Sequence, residues 1–152
     1  HGKVGKHFTV LSECSKGGNY SLEGSLRELA GYRMEKAKEM LSAAEGNLEI
    51  GQYKTSLNRS YYAIFHAMRA ANIVKGFDFS KHSGVIAFFN KEFLKEGIMD
   101  RSLSVIIKNS AFLREKSDYD DFFIAGKKEA EKQIEDAKIF LTAVEKWLEK
   151  VD

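Results

Sequence analysis

Apolar residues recur in alternating steps of four and three near the carboxyl-terminal end of the chain. Between about Lys127 and Val151 these positions are Ala130, Ile134, Ala137, Leu141, Val144, Leu148 and Val151. The spacing places them along one side of an α-helix, in which 3.6 residues make one turn. The pattern predicts a final amphipathic helix and is the most regular one in the sequence.

Two longer segments earlier in the chain also show helical spacing. The first should run over about 21–50 and stop at Gly51, and the second over about 53–74, ending near Gly76. The first carries a broken apolar stripe of Leu22, Leu26, Leu29, Ala37, Met40, Ala44 and Leu48. Because the turn between them is short, these helices should be antiparallel neighbours.

Two shorter helices fill the middle of the chain. One is predicted from a Ser80 cap to about Lys95, with Gly97 as its stop, and the other from Asp100 to an acidic turn at 117–121. Their expected inward-facing residues are Val85, Ile86, Phe89 and Phe93 in one, and Leu103, Ile106, Ile107 and Leu113 in the other.

The fold class follows from these five segments and from the absence of any strand signal. Proline, which interrupts helices, does not occur in the 152 residues. We predict an all-α fold: an up-and-down antiparallel bundle of about five helices around a four-helix core. Residues 21–152 form a single domain in this interpretation, and residues 1–20 an irregular lead-in that is partly tail.

Charge and cysteine content limit the functions that this chain can have. With 24 basic and 22 acidic residues the net charge is +2, too balanced to coat nucleic acid by bulk electrostatics. Cys14 is the only cysteine, which excludes an internal disulfide or a multi-cysteine zinc site and favours a cytoplasmic protein. No apolar run approaches the roughly 20 residues that a membrane helix needs, so no membrane role is expected.

The second predicted helix has two distinct faces. One collects Leu57, Tyr61, Ile64, Phe65 and Met68 for the core, and the other collects Arg59, Tyr62, His66 and Arg69. We call the latter four residues the polar face. The guanidinium group of arginine is permanently charged and its forked N–H donors match a phosphate, and histidine exchanges protons near neutral pH. The polar face is therefore a candidate site for a nucleotide or RNA backbone. Alternatively, its arginines pair with Asp118, Asp120 or Asp121, and His66 is a hydrogen-bonded residue between helices.

Two other short motifs carry candidate chemistry. Lys81 and His82 lie at a predicted helix amino terminus, where free N–H groups favour a phosphate, although a solvated surface lysine and a half-buried histidine are the simpler explanation. Arg114, Asp118 and Tyr119 close the fourth helix as a structural clamp in which the acids could hold Arg59 or Arg69. The acidic run lacks the glycine and glutamate of a calcium loop, so no metal site is expected.

Three separated motifs resemble the HEPN domain family, in particular its small stand-alone prokaryotic members. They are Asn58-Arg59-Ser60-Tyr61-Tyr62-Ala63-Ile64-Phe65-His66-Ala67, Lys81-His82-Ser83-Gly84-Val85 and Leu113-Arg114-Glu115-Lys116-Ser117-Asp118-Tyr119. The resemblance covers about 32–148. It implies a helical bundle, frequent dimerisation, and pairing with a minimal nucleotidyltransferase protein, often as toxin and antitoxin.

The resemblance also implies a ribonuclease chemistry for some members. Their motif is an arginine and a histidine separated by four to six residues, and Arg59 and His66 have six between them. Arg59 would then hold the scissile phosphate and His66 would move a proton, with no metal or other cofactor. Active members usually carry Asn, Asp or His directly after the arginine, whereas this chain has Ser60.

Three hypotheses therefore remain at the level of sequence. The first is a nucleotide- or RNA-binding HEPN module that works with a minimal nucleotidyltransferase partner. The second is a metal-independent ribonuclease with Arg59 and His66 as catalytic residues. The third is a noncatalytic homodimeric assembly protein whose polar face is a salt-bridged interior.

Overall fold

Five α-helices make up most of the part of the chain that the structure describes. This computed structural model describes residues 19–151, and their side chains from Gly24 onward. The helices are α1 (Asn19–Glu49), α2 (Tyr53–Val74), α3 (His82–Phe89), α4 (Leu103–Tyr119) and α5 (Lys127–Lys150). A π-helical segment, Asn90–Lys95, continues α3. Within residues 19–151 there is no strand, and the predicted all-α bundle is confirmed.

The helix bounds agree with the sequence-based expectations to within a few residues. Helix α1 begins at Asn19, two residues before the predicted start, so Asn19 and Tyr20 belong to the helix and not to the lead-in. The remainder of the expected lead-in, with the side chain of Leu22, lies outside the described residues. The predicted stops Gly51, Gly76 and Gly97 all have positive φ, near +77°, where a side chain would be strained.

Ser80 does not cap α3, contrary to the prediction. The first helical hydrogen bond runs from the Val85 N–H to the Lys81 carbonyl at 3.0 Å, which makes Lys81 the N-cap and His82 the first helical residue. Ser80 therefore lies one residue too early to meet the free N–H groups. The Lys81 side chain does not cap the free N–H groups of the helix.

The ends of α4 also differ slightly from the prediction. The Asp100 carboxylate accepts a hydrogen bond from the Ser102 N–H at 2.8 Å, and regular helix starts only at Leu103. The helix then continues through Ser117 to Tyr119, and the predicted turn comes later, where Asp120 accepts the N–H of Phe122 at 3.0 Å.

Helix α2 lies at the centre of the bundle and packs against α1, α4 and α5. All five residues of its predicted core face are buried. Four of them share one buried cluster with aromatic rings of other segments, among them Phe89, Phe93 and Phe140, and burial of one such side chain contributes about 1.5–3 kcal/mol. Trp147 packs edge-on against Phe93 at 4.8 Å and so belongs to this core.

The regular pattern of α5 predicts its buried face well over the first five positions, whereas Leu148 is only half-buried. Ala130, Ile134, Ala137, Leu141 and Val144 are buried. Val151, predicted to continue the stripe, follows the last helical residue and is 37% exposed, because the chain there has left the helix.

Candidate phosphate-binding site

The polar face lies along one side of α2, as its spacing predicts. Arg59, Tyr62, His66 and Arg69 are all half-buried, next to helix positions that are fully buried. Arg59 and His66 are seven residues apart, so they point the same way but are separated by about 10 Å along the helix axis. They therefore line two ends of one surface.

The guanidinium of Arg59 is held by its chain neighbour. Its Nη1 donates to the Asn58 side-chain oxygen at 2.8 Å, and the Asn58 amide donates in turn to both Asp118 oxygens at 3.2 and 3.3 Å. Arg59 forms no ion pair with a carboxylate of the described residues. The expected pairing of Asp118 with Arg59 is therefore indirect, through Asn58.

Arg114 of α4 makes the contact to α2 that was expected of the acidic residues of the clamp. Its Nε lies 3.0 Å from Asp118, and its Nη2 donates to the Tyr62 hydroxyl at 3.2 Å. The guanidinium carbon also lies 5.4, 5.6 and 5.8 Å from the ring centroids of Tyr61, Tyr62 and Tyr119, within cation–π range. Asp118 thus neutralises Arg114, and α4 is fastened to the middle of the polar face.

Arg69 pairs with Asp78, a carboxylate that is not among the candidate residues predicted from the sequence. Its Nη2 lies 2.6 Å from Asp78, and Asp78 also binds Arg33 of α1 at 2.9 Å. Burial on its own would raise the pKa of Asp78, but the hydrogen bonds and charges of Arg33 and Arg69 lower it below its usual value. The carboxylate is therefore ionised and bridges α1, α2 and the segment after α2.

His66 is half-buried beside this ion-pair network. Its ring lies 6.3 Å from that of Tyr62 and 5.9 Å from that of Phe65, and neither nitrogen makes a hydrogen bond to any residue of the described chain. Burial lowers the pKa of His66, and the positive charges of Arg69, Lys36 and Arg33 lower it further. The imidazole is therefore neutral at pH 7 and lies in the field of three cations.

His82, from the start of α3, stands over the same aromatic surface of α2. Its ring lies 4.3 Å from Phe65 and 5.6 Å from Tyr62, and its Nδ1 lies 2.9 Å from the Tyr61 hydroxyl. Burial lowers its pKa, with further contributions from Arg114 and Arg69. Lys81 is exposed at the N-cap next to it. The Lys81-His82 motif thus meets the polar face through His82.

The glycine of the same motif has a packing role. A Cβ on Gly84 would overlap the Phe79 ring, whose Cε2 would lie 2.7 Å away. Because Phe79 lies one residue after Asp78, the absence of a side chain at Gly84 allows the segment that carries Asp78 to lie against α3.

Three contributors to the site lie outside the motifs that the sequence singled out: Arg33, Lys36 and Asp78. Asp78 is the only carboxylate between Glu49 and Glu92. It is therefore the only acidic partner close in sequence to the cations of α2, and this could have identified it as their partner. Arg33 and Lys36 lie on α1, which carries many charged residues, and nothing in the sequence distinguishes them. No group of three or more potential metal ligands is present among the described residues.

Comparison with known proteins decides the family. A sequence profile of the HEPN domain matches residues 30–147. The chain belongs to the HEPN domain family. This confirms the resemblance drawn from the three motifs, which covered nearly the same residues.

Relatives of this HEPN protein cover most of its length. A UPF0332 protein of Thermotoga maritima is 35% identical over 118 residues, which are 78% of this chain and 89% of the relative. A Methanocaldococcus jannaschii protein named "Putative toxin MJ0605" is 35% identical over 130 residues, 86% of this chain and 96% of that protein. The crystal structure of TT1696 from Thermus thermophilus has the same fold, with a TM-score of 0.67 and 22% identity over 78% of this chain and 97% of that one.

None of the described helices of this HEPN protein is both long and apolar enough to cross a membrane.

Proposed function

We propose that this HEPN protein binds RNA or a nucleotide through phosphate at the polar face, as the toxin-like member of a cytoplasmic pair with a minimal nucleotidyltransferase protein. The observation that carries the proposal is the surroundings of His66. A neutral imidazole without a hydrogen bond inside the described chain lies within the field of Arg33, Lys36 and Arg69, which come from two helices.

The charge balance around His66 favours an anion. Three cations face it, and the one carboxylate bound among them, Asp78, offsets a single charge. Lys36 also lies 3.9 Å from Glu39, but both of these side chains are largely exposed, and such a pair contributes little. A phosphate oxygen would find permanent positive charge and an imidazole that gains a proton when an anion binds.

The pairing with an antitoxin rests on the relatives and on the family resemblance. The M. jannaschii relative is named a toxin, and it is matched over nearly its whole length. Within the proposal, the protein acts as a homodimer, which would place two polar faces in one assembly, and its nucleotidyltransferase partner controls access to them.

Fluorescence anisotropy with a short labelled RNA, with ATP as competitor, tests this proposal. Arg59→Ala and Lys36→Ala should each weaken RNA binding and lower the slope of log affinity against log salt by about one for each phosphate that the variant no longer binds. Lys108→Ala is the matched control, because Lys108 is exposed on α4, does not belong to the polar face and is not one of the cations that act on His66.

Two results would overturn the proposal. One is the absence of binding by the wild-type protein to either RNA or ATP. The other is an equal loss of affinity in Lys108→Ala, which would show that any surface cation contributes as much as the polar face. Thermal melts of each variant establish that it is folded.

Ribonuclease activity is the second candidate, favoured by the neutral state of His66, which suits a general base. Ser60 counts against it. This residue stands where the nuclease pattern has Asn, Asp or His, and its side chain is fully buried, so it cannot reach a substrate. Incubation of RNA with chelator and either wild type or His66→Ala decides the matter: cleavage by wild type alone supports the activity, and equal cleavage by both excludes it.

A further inference from the structure

Tyr61 and His82 are a hydrogen-bonded pair of titratable side chains beside the polar face. The Tyr61 hydroxyl lies 2.9 Å from His82 Nδ1, and Tyr61 is only 2% exposed. Burial raises the pKa of Tyr61 to about 12, so the phenol keeps its proton at neutral pH. An unprotonated imidazole nitrogen is a better acceptor than a phenol oxygen. The hydroxyl therefore donates and Nδ1 accepts.

The orientation of the His82 ring is fixed from several sides. It stacks near Phe65 at 4.3 Å and Tyr61 at 5.7 Å, and it meets Tyr62 nearly edge-on at 5.6 Å and 83°. These contacts come from α2, whereas His82 belongs to α3, so the ring plane is set by packing between the two helices. Packing fixes the ring plane but not the tautomer, which depends on the hydrogen bonds that the two ring nitrogens make.

The second ring nitrogen of His82 is open. Nε2 makes no hydrogen bond to the described part of the chain, and His82 is only half-buried, so this nitrogen is available to a ligand. The charged groups that act on His82 are Arg114 from α4 and Arg69 from α2, and both disfavour an imidazolium. A neutral ring with a proton on Nε2 is the state that these surroundings select.

We infer that Tyr61 is a positioning residue whose O–H holds His82 as the neutral Nε2–H tautomer, so that His82 donates an N–H to a phosphate oxygen of the bound RNA. This inference rests on the proposed function for its ligand. It gives the two histidines different roles: His66, which has no internal hydrogen bond, responds to the anion by protonation, and His82 contributes a directed neutral donor.

The tautomer is tested by NMR, independently of RNA. Long-range correlations between ring protons and nitrogens of His82 should show a protonated Nε2 and an unprotonated Nδ1 in the wild-type protein. Tyr61→Phe keeps the ring but removes the hydroxyl, so it should give a mixture of tautomers and a higher pKa of His82, because a bond that favours the neutral form is lost. Tyr53→Phe serves as the control, since Tyr53 is neither a hydrogen-bond partner nor a ring neighbour of His82.

RNA binding by the same variants separates the two claims. Tyr61→Phe should weaken binding about fivefold, the equivalent of one neutral hydrogen bond of about 1 kcal/mol, and Tyr53→Phe should not. If wild type binds RNA but Tyr61→Phe binds equally well, the positioning role is wrong and the proposed function stands. A wild-type His82 with its proton on Nδ1 also overturns the inference, and this result requires no variant to fold. If wild type binds neither RNA nor ATP, the proposed function fails and the donor role of His82 fails with it.

Discussion

Arg69 Nη2 lies 2.6 Å from the Asp78 carboxylate, and the same carboxylate binds Arg33 on a different helix. One acidic side chain therefore holds two arginines beside His66 while leaving the local charge positive. This relationship joins the fold to the proposed function. The ion pairs that fasten the segment after α2 to the bundle also fix the cations that would face a phosphate.

Removal of the Asp78 charge should destabilise the protein. In Asp78→Asn the two arginines lose their common carboxylate. Arg33 is only 9% exposed, so the buried Arg33 charge would be left without a partner. We expect the free energy of unfolding at pH 7 to fall by about 2 kcal/mol, the size of a charge-assisted hydrogen bond. Urea denaturation measures it. Asp121→Asn, at an exposed position, is the control and should change stability little.

The contribution of Asp78 to the free energy of unfolding should be lost only at acidic pH. Because the pKa of Asp78 is lowered in the folded state, its stabilising contribution is complete above the ordinary aspartate value of about 3.9. It is lost as the pH falls through the lower folded value. The stability difference between wild type and Asp78→Asn should therefore be constant from pH 7 to 5 and shrink only in more acidic buffer. A difference that disappears already at pH 6 would contradict this assignment.

His66 should impose a separate pH dependence nearer neutrality. Its pKa is lowered in the folded protein, so below about 6.5 the unfolded chain takes up a proton that the folded protein does not. The melting temperature should thus fall as the pH is lowered from 7 towards 5, with His82 contributing in the same sense. His66→Ala should show a smaller fall over this range. An unchanged slope would mean that His66 titrates normally.

Gly84 should not tolerate alanine. The added Cβ would overlap the Phe79 ring, and displacement of a packed ring typically costs 1–3 kcal/mol, which exceeds the roughly 1 kcal/mol that alanine gains in a helix. Gly31→Ala is the matched control, because nothing lies within 4 Å of a Cβ at that position of α1. Chemical denaturation should show destabilisation at Gly84 and a small stabilisation at Gly31. Stabilisation at both would show that Phe79 moves aside freely.

Ser60, the position at which the chain departs from the nuclease pattern, lies in a fully buried site. Its side chain is fully buried and its hydroxyl has no partner among the described residues. Ser60→Asn adds a larger polar group to a packed site and should lower stability by more than about 1 kcal/mol, whereas Ser60→Ala removes an unpaired hydroxyl and should be neutral or stabilising. Thermal melts of the two variants compare them. A stable Ser60→Asn protein that cleaves RNA would argue that this residue alone withholds nuclease activity.

The sequence predicts the helices well because their information is local. Helix α5 repeats one spacing over seven positions, and the core face of α2 follows from the period of the helix. Ser80 shows the limit of this reasoning. Several residues near a helix start can act as its cap, and in this helix Lys81 takes that position.

The candidate site was only partly predictable for a different reason. Residues of the polar face share one helix, so their spacing places them together. Arg33 and Asp78, in contrast, reach the site from separate segments, and only the packing of α1 beside α2 brings them there. Asp118 pairs with Arg114 one turn earlier on the same helix, α4, and Arg69 pairs with Asp78.

The central claim, that phosphate binds beside His66, is tested most directly by an NMR titration of the His66 ring with and without a short RNA. An anion near an imidazole favours its charged form. RNA should therefore raise the pKa of His66 from its lowered value, and Lys108→Ala should show the same increase. A pKa of His66 that stays unchanged when the protein is saturated with RNA would contradict the account, because the phosphate would then be bound somewhere other than beside His66.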